Sequence, residues 1–214
     1  YFGEGTKSIS TTGKATITNM GAEIGATCSI FPFDKKGQEY LEATGRSDIA
    51  LLASKNMHLL TADKDVLNNP NDFFDKVIEI DLDTLEPHIV GPHTPDLARP
   101  VSRLKEDAVD NSYPLKISSA LIGSCTNSSY EDIGRAAYIA REAAKKGLKS
   151  KVPLMVTPGS EITRATIERD GYLRDLEAIG ATVLANACGP CIGQWKRDDI
   201  EAGESNSIVS SYNR

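Results

Sequence analysis

Three cysteines in this chain lie where parallel strands are predicted to end. Each follows an apolar run of strand length: Cys125 after 115–122, and Cys188 and Cys191 after 181–185. In open α/β sheets, ligands bind beyond the carboxyl ends of the strands. The spacing therefore predicts that the three thiols share one site. Three thiolates favour a soft metal centre that keeps one coordination position open.

A third apolar run, 207–210, ends in the same way, but polar and charged residues follow it. These are Tyr212, Asn213 and Arg214. Three strand ends that carry three thiols and an arginine therefore look like parts of one site.

The thiols also allow other interpretations. Cys188-Gly-Pro-Cys191 after a strand is typical of a thioredoxin-like redox pair. A redox pair leaves Cys125 unexplained, and no tryptophan precedes Cys188. Zinc bound by three thiols and one further ligand is a second alternative, and buried cysteines without metal are a third. We predict Cys28 to be a small buried apolar residue rather than a fourth ligand.

The composition is that of an ordinary globular protein. The chain has 214 residues, of which 40% are apolar and 25% charged, with a net charge of −6. The negative charge argues against nucleic acid as a partner. No apolar run approaches the roughly 20 residues that span a bilayer, so no membrane association is expected. The chain begins at Tyr1 without methionine and stops directly after a predicted strand, so we expect it to be a fragment of a longer polypeptide.

The first third is predicted to be α/β. Helices are expected from Asn19, which would be the N-cap, over 35–44 with Gly45 as terminator, and over 46–52. The predicted strands cover 15–18, 29–33 and 77–81. A segment with three prolines, 86–96, is the best candidate boundary. We therefore divide the chain into 1–85, a connector 86–111, and 112–214.

The second half has the alternation of strands and helices that predicts a parallel sheet. Strands are expected over 115–122, 152–157, 181–185 and 207–210. Helices are expected from the capping-box pattern at Ser129 to about Lys146, over 160–170, and over 172–179. The fold class is therefore α/β, with parallel sheets flanked by helices, in parts of two consecutive domains.

Five sequence motifs are spread over the whole chain. Two contain the cysteines: Gly-Ser-Cys-Thr-Asn-Ser-Ser at 123–129 and Ala-Cys-Gly-Pro-Cys-Ile-Gly-Gln-Trp at 187–195. The others are Asn-Met-Gly-Ala-Glu-Ile-Gly-Ala-Thr at 19–27, Gly-Pro-His-Thr-Pro-Asp-Leu at 91–97 and Ser-Tyr-Asn-Arg at 211–214. These motifs resemble those of aconitases, and in particular the mitochondrial type. The resemblance implies a hydro-lyase that interconverts citrate and isocitrate through cis-aconitate.

The resemblance also implies roles for individual residues. Cys125, Cys188 and Cys191 would bind a [4Fe-4S] cluster with one open iron. The catalytic residues around that cluster would be Glu23, Asn19 and Asn213, and Arg214 would bind a carboxylate of the tricarboxylate substrate. Cys28 stands where the family is expected to have threonine or serine.

The family's serine base and further arginines have no counterpart in these residues. The resemblance therefore implies that the remaining domains of a parent polypeptide are partners, and that residues 1–214 alone are inactive. It implies the mitochondrial matrix as the location, or the cytoplasm of a bacterial source. A homocitrate dehydratase, a catalytically inactive binding or scaffold protein, and a thiol redox protein stay open as alternatives.

Overall fold

The computed structural model describes residues 1–212, which form two compact units, Tyr1–Glu86 and the residues from Pro87 onward. Asn213 and Arg214 lie outside the described residues, so the predictions made for them are not addressed by the structure. The boundary between the units falls at the start of the proline-rich segment.

The first unit is helical. Its helices are α1 (Thr11–Asn19), α2 (Lys35–Ala43), α3 (Ser47–Lys55) and α4 (Lys64–Asn68), with short 3-10 turns at Glu4–Ser8, Met57–Leu59 and Pro70–Asp72. The helices α2 and α3 occur where the sequence predicts them. Gly45, with φ +76°, follows α2 as the expected terminator.

Two capped helix ends organise this unit. The Ser10 side chain caps α1 by accepting a hydrogen bond from the Gly13 amide, and Asp34 caps α2 by accepting one from the Gly37 amide. Asp34 also forms an ion pair with Lys14, which is only 7% exposed. Because Lys14 is on α1, this largely buried pair connects α1 to the start of α2.

The strands predicted in the first third are wrong: no strand occurs in residues 1–86, all of which the structure describes. The stretch 15–18 belongs to α1, and Asn19 is the last residue of that helix rather than the N-cap of another. Residues 29–33 and 77–81 do not pair with any neighbour as strands. Ile78 and Ile80 are exposed, so the apolar side of the alternating segment has no cover within its unit.

The second unit begins with a small antiparallel hairpin formed by β1 (His88–Val90) and β2 (Ala98–Pro100), with a cis Gly91–Pro92 bond between them. The segment that we expected to be irregular thus has a short sheet of its own. A 3-10 turn at Val101–Arg103 and helix α5 (Leu104–Asp110) follow.

A four-stranded parallel sheet forms the remainder of the second unit. Its elements are β3 (Ile117–Gly123), α6 (Tyr130–Lys145), β4 (Leu154–Thr157), α7 (Glu161–Arg169), α8 (Tyr172–Ala178), β5 (Ala181–Val183) and β6 (Ser207–Ser210). The strand order is β5-β4-β3-β6, and all three pairings are parallel. The predicted α/β class is confirmed here, and each predicted strand and helix of this half occurs within a few residues of its expected bounds.

The core of this unit lies between the sheet and the helices α6, α7 and α8. Its buried side chains come from all three helices and from β4: Ile133, Ala137, Ala140, Val156, Ile167, Leu173 and Leu176. The helix α6 begins with the predicted capping box, in which Ser129 and Asp132 bond each other's backbone amides. Among the described residues, no helix is long and apolar enough to cross a bilayer.

Candidate functional site

The predicted cysteines all lie beyond the same edge of the parallel sheet. Cys125 is two residues after β3, and Cys188 and Cys191 follow β5. Since β4 lies between β3 and β5, the two strand ends are separated by about 10 Å, twice the usual spacing of paired strands. The loops after these strands must span that distance for the thiols to share a ligand.

The loop that carries Cys125 is fixed by its own hydrogen bonds. Ser124 has φ +93°, a conformation that residues with side chains rarely adopt. Its hydroxyl oxygen accepts hydrogen bonds from the amides of Thr126 (3.3 Å) and Asn127 (3.1 Å), and its carbonyl accepts one from the Ser128 hydroxyl. The backbone around Cys125 is therefore held in a tight turn between β3 and the capped start of α6.

Close backbone packing explains the glycine that ends β3. Gly123 has φ +143°, and a Cβ placed on it would lie 2.3 Å from the carbonyl oxygen of Thr157. Thr157 is the last residue of β4. Only glycine allows the ends of β3 and β4 to approach this closely, so Gly123 sets the direction in which the Cys125 loop leaves the sheet.

The Cys125 loop is also bonded to the segment that follows β6. The side-chain amide of Asn127 donates a hydrogen bond to the carbonyl of Ser211 at 2.6 Å. The Gly123 amide donates to the Ser211 hydroxyl at 2.9 Å, and the Ser211 amide donates to the Leu121 carbonyl at 3.1 Å. The Ser211 hydroxyl also donates to the Gly123 carbonyl at 3.3 Å. Hydrogen bonds thus hold Ser211 against both the end of β3 and the Cys125 loop.

The next residue, Tyr212, is partly buried. Burial raises the pKa of the Tyr212 phenol above its ordinary value; the neighbouring Thr157 side chain opposes the rise, and the charge of Cys191 adds to it. The segment after β6 is therefore close to both the end of β4 and one of the predicted ligands.

The loop with Cys188 and Cys191 is anchored at its start. The Leu184 amide donates to the Val156 carbonyl at 2.8 Å, and the Asn186 side chain donates to Glu161 at 2.8 Å. The pKa of Glu161 is held below its ordinary value, first by a hydrogen bond from Arg164. Glu161 is therefore ionised near neutral pH and accepts from Asn186 as a carboxylate.

Around its second cysteine this loop forms a 3-10 turn, Pro190–Ile192. The Ile192 amide donates to the Cys188 carbonyl at 3.0 Å, and Gly193, with φ +76°, ends the turn. The backbone at Cys191 is therefore held in a short turn, and Cys188 lies just before that turn.

All four cysteines are free thiols. Cys125 and Cys188 are exposed, and Cys191 is partly exposed. The prediction for Cys28 is wrong, since it is exposed rather than buried. Within residues 1–212, no three His, Cys, Asp or Glu side chains lie close enough together to hold a metal ion. The thiols therefore share one sheet edge but do not form a closed ligand set.

The chemistry of this donor set fits an iron–sulfur cluster. Three free thiols extend from two loops at one sheet edge, and soft thiolate donors select copper(I), zinc or iron–sulfur clusters. The hydrogen bonds around Cys125 and at the start of the other loop fix both loops where they leave the sheet.

Two further predicted residues, Asn19 and Glu23, belong to the first unit. Asn19 is partly buried at the end of α1, and Glu23 is exposed in the turn that follows. A Cβ on Gly21 would lie 2.3 Å from the Ser29 hydroxyl, so this turn packs tightly onto the segment near Cys28. The predicted roles of Asn19 and Glu23 beside a cluster stay predictions.

The polar residues that connect the loops were not identified from the sequence as part of the site. Asn127 and Ser211 lie in the motifs at 123–129 and 211–214, and Asn186 immediately precedes the second cysteine motif. The sequence feature that could have identified them is the number of Ser and Asn residues around Cys125, because these side chains form hydrogen bonds with nearby backbone groups and stabilise turns.

Comparisons with known proteins identify the family of this chain. The second unit belongs to the parallel α/β class and carries three free thiols beyond its strand ends. The family model described as "Aconitase family (aconitate hydratase)" matches residues 1–214, and the chain belongs to this family.

The similar curated proteins include mitochondrial aconitate hydratases. The chain is 61% identical over its full length to "Aconitate hydratase, mitochondrial" of Saccharomyces cerevisiae, and covers 27% of that protein. It is 56% identical to "Probable aconitate hydratase, mitochondrial" of Dictyostelium discoideum and 58% identical to that of Caenorhabditis elegans, with the same coverage. The chain thus spans about a quarter of the length of these relatives, whose mitochondrial location agrees with the predicted one.

Among solved structures, the crystal structure of Thermococcus kodakaraensis aconitase X in its holo form is similar to part of the chain. The match covers 54% of this chain and 27% of that one, at 25% identity and a TM-score of 0.35. This overlap is too limited for a comparison of the two folds.

Proposed function

We propose that this chain provides the cluster-binding part of an aconitate hydratase that interconverts citrate and isocitrate through cis-aconitate in the mitochondrial matrix. The observation that carries the proposal is the placement of Cys125, Cys188 and Cys191 beyond one edge of a parallel sheet, in a chain whose full length matches the aconitase family. Because the chain spans 27% of its relatives, the remaining domains would come from a parent polypeptide.

Cys125, Cys188 and Cys191 would hold a [4Fe-4S] cluster as thiolates. With three protein ligands, the cluster would supply a Lewis-acidic iron that has one coordination position free. The thiols of Cys125 and Cys188 are exposed, so an incoming cluster can reach them without unfolding the sheet. Movement of the loop with Cys188 and Cys191 towards the fixed Cys125 loop would complete the ligand set.

The other residues would act on the substrate. Arg214 would bind a carboxylate of the tricarboxylate, for which its planar guanidinium is suited. Glu23 would lie near the substrate hydroxyl group, and Asn19 and Asn213 would lie near the cluster. A positioned proton acceptor is needed for dehydration, and none is assigned within these residues. The proton acceptor would therefore come from the parent polypeptide, and residues 1–214 alone should not turn over citrate.

The cysteine assignment can be tested one ligand at a time in the reconstituted parent protein. Cys125→Ser, Cys188→Ser and Cys191→Ser should each lower the iron and acid-labile sulfide content and weaken the cluster absorption. Cys28→Ser is the matched control, because it changes an exposed thiol of the other unit. Full cluster content in all three variants would disprove the ligand set, and loss in the control would show that Cys28 is a ligand.

The open position can be tested by mild oxidation. The iron that lacks a thiolate ligand should be lost from the cluster first. Electron paramagnetic resonance should then show a [3Fe-4S] signal that disappears on addition of ferrous iron and reductant. A four-iron cluster unaffected by oxidant would indicate a fourth protein ligand and electron transfer instead.

A further inference from the structure

We infer that Asn127 is a positioning residue that fixes the segment after β6 relative to the Cys125 loop. The inference rests on the proposed function, because it concerns how one loop of the proposed cluster site holds the segment that leads to the proposed substrate arginine. Asn127 acts through that segment and not by contact with cluster or substrate.

The first observation is the bond itself. Asn127 is partly buried, and its side-chain Nδ2 donates to the Ser211 carbonyl at 2.6 Å across 84 positions of the sequence. A hydrogen bond between a side chain and a distant backbone group fixes both partners in a way that a local turn bond does not. This bond connects the two segments at the edge of the sheet where the thiols lie.

The second observation is that the donor is held rigidly on its own side. The Asn127 amide is bonded to the Ser124 hydroxyl oxygen at 3.1 Å, and the neighbouring Ser128 is fully buried. The Asn127 side chain is therefore presented from a turn with little freedom. A rigid donor places its acceptor more accurately than a mobile one.

The third observation is what the acceptor leads to. Ser211 is the first residue after β6, and Tyr212 follows it. The next two positions are Asn213, proposed to lie near the cluster, and Arg214, proposed to bind substrate. The bonds from Ser211 to β3 involve its hydroxyl and amide groups. The bond from Asn127 acts instead on the carbonyl, which belongs to the peptide group leading towards Arg214.

The test uses the full-length parent with its cluster. Asn127→Ala should leave iron and sulfide content unchanged while raising KM for citrate about ten-fold, the usual effect of one lost hydrogen bond. Asn127→Gln keeps the amide donor and should recover most of the affinity. Asn111→Ala is the control, because the Asn111 side-chain amide also donates to a backbone carbonyl, that of Asp107 at 2.8 Å, but only four positions away at the end of α5.

A second measurement is independent of turnover. Hydrogen exchange of the peptide containing 207–212 should become faster in Asn127→Ala and stay unchanged in Asn111→Ala. If the parent held no cluster and had no activity, the proposed function would fail, yet this exchange measurement would still decide whether Asn127 holds the segment. Two results together would overturn the inference. These are hydrogen exchange at the wild-type rate in Asn127→Ala and a KM within about two-fold of wild type, well below the roughly ten-fold change expected from one lost hydrogen bond.

Discussion

The glycine at the end of β3 gives the sharpest stability test of the site. In Gly123→Ala, the new Cβ would meet the Thr157 carbonyl oxygen at 2.3 Å and the Thr157 Cβ and amide nitrogen at 2.9 Å. Real Cβ atoms do not approach other atoms so closely, so the ends of β3 and β4 would have to separate. Residues with side chains also rarely adopt φ +143°.

The expected magnitude has two parts. Backbone strain at an unfavourable φ costs about 1–3 kcal/mol, and overpacking of a tightly packed position costs about 1–3 kcal/mol more. We therefore expect Gly123→Ala to lower the free energy of unfolding by about 4 kcal/mol. At about 2–4 °C per kcal/mol for a chain of this size, Tm should fall by about 12 °C.

Gly147→Ala is the matched control. Gly147 has φ +70° at the end of α6, but nothing lies within 4 Å of the position that a Cβ would take there. This variant should lose only the left-handed backbone penalty, about 1 kcal/mol. Both variants can be compared by urea unfolding followed by circular dichroism. A difference of less than about 1 kcal/mol between them would refute the close approach of β3 and β4.

Three further predictions concern stability. Burial alone would raise the pKa of Asp34, but the hydrogen bonds from Lys14 and from backbone amides outweigh burial and hold this pKa below its ordinary value. Ionised Asp34 therefore stabilises the fold fully above the unfolded pKa of about 4. This stabilisation is lost as the pH falls through the lower pKa of the folded state. Asp34→Asn should flatten the dependence of Tm on pH between about 5 and 2, and an unchanged slope would contradict this. Ser129→Ala removes the capping bond to the Asp132 amide and should cost about 1 kcal/mol in urea unfolding, whereas no measurable loss would mean that the cap is dispensable. Ile133→Ala empties a fully buried core position and should cost about 2–5 kcal/mol, whereas a loss below about 1 kcal/mol would show that the core relaxes around it.

The second unit was predictable because its local signals agree with its tertiary structure. The capping box at Ser129, the glycine at 147 and the apolar runs all indicate the same elements, and parallel strands must alternate with helices. The shared edge for the three cysteines followed from that alternation. The hydrogen bond from Asn127 to Ser211 could not, because nothing local in the sequence pairs residues 84 positions apart.

The first unit was predicted less well because its local signals conflict. The β-branched residues at 16–18 indicate a strand, yet β-branching only slightly weakens a helix. The hydroxyl groups of Thr16 and Thr18 bond carbonyls of the preceding turn, and Ser10 caps the start of α1. The strand predicted from the alternating apolar and acidic residues at 77–81 is wrong for a different reason. A strand needs a neighbouring strand to pair with, and alternation does not identify one.

The position of β6 in the sheet has a consequence for how the site is made. The Ser118 hydroxyl bonds the Ser207 carbonyl across 89 positions, and the three cysteines of the site all lie within that span. Pairing over such a distance is slow, because the loop must close before any contact offsets its entropy. We therefore expect β6 to dock late in folding, after β3, β4 and β5 have paired. Until it docks, Asn127 has no acceptor, and a nascent chain that has not yet emerged past Ser211 would present its thiols without the segment that completes their surroundings.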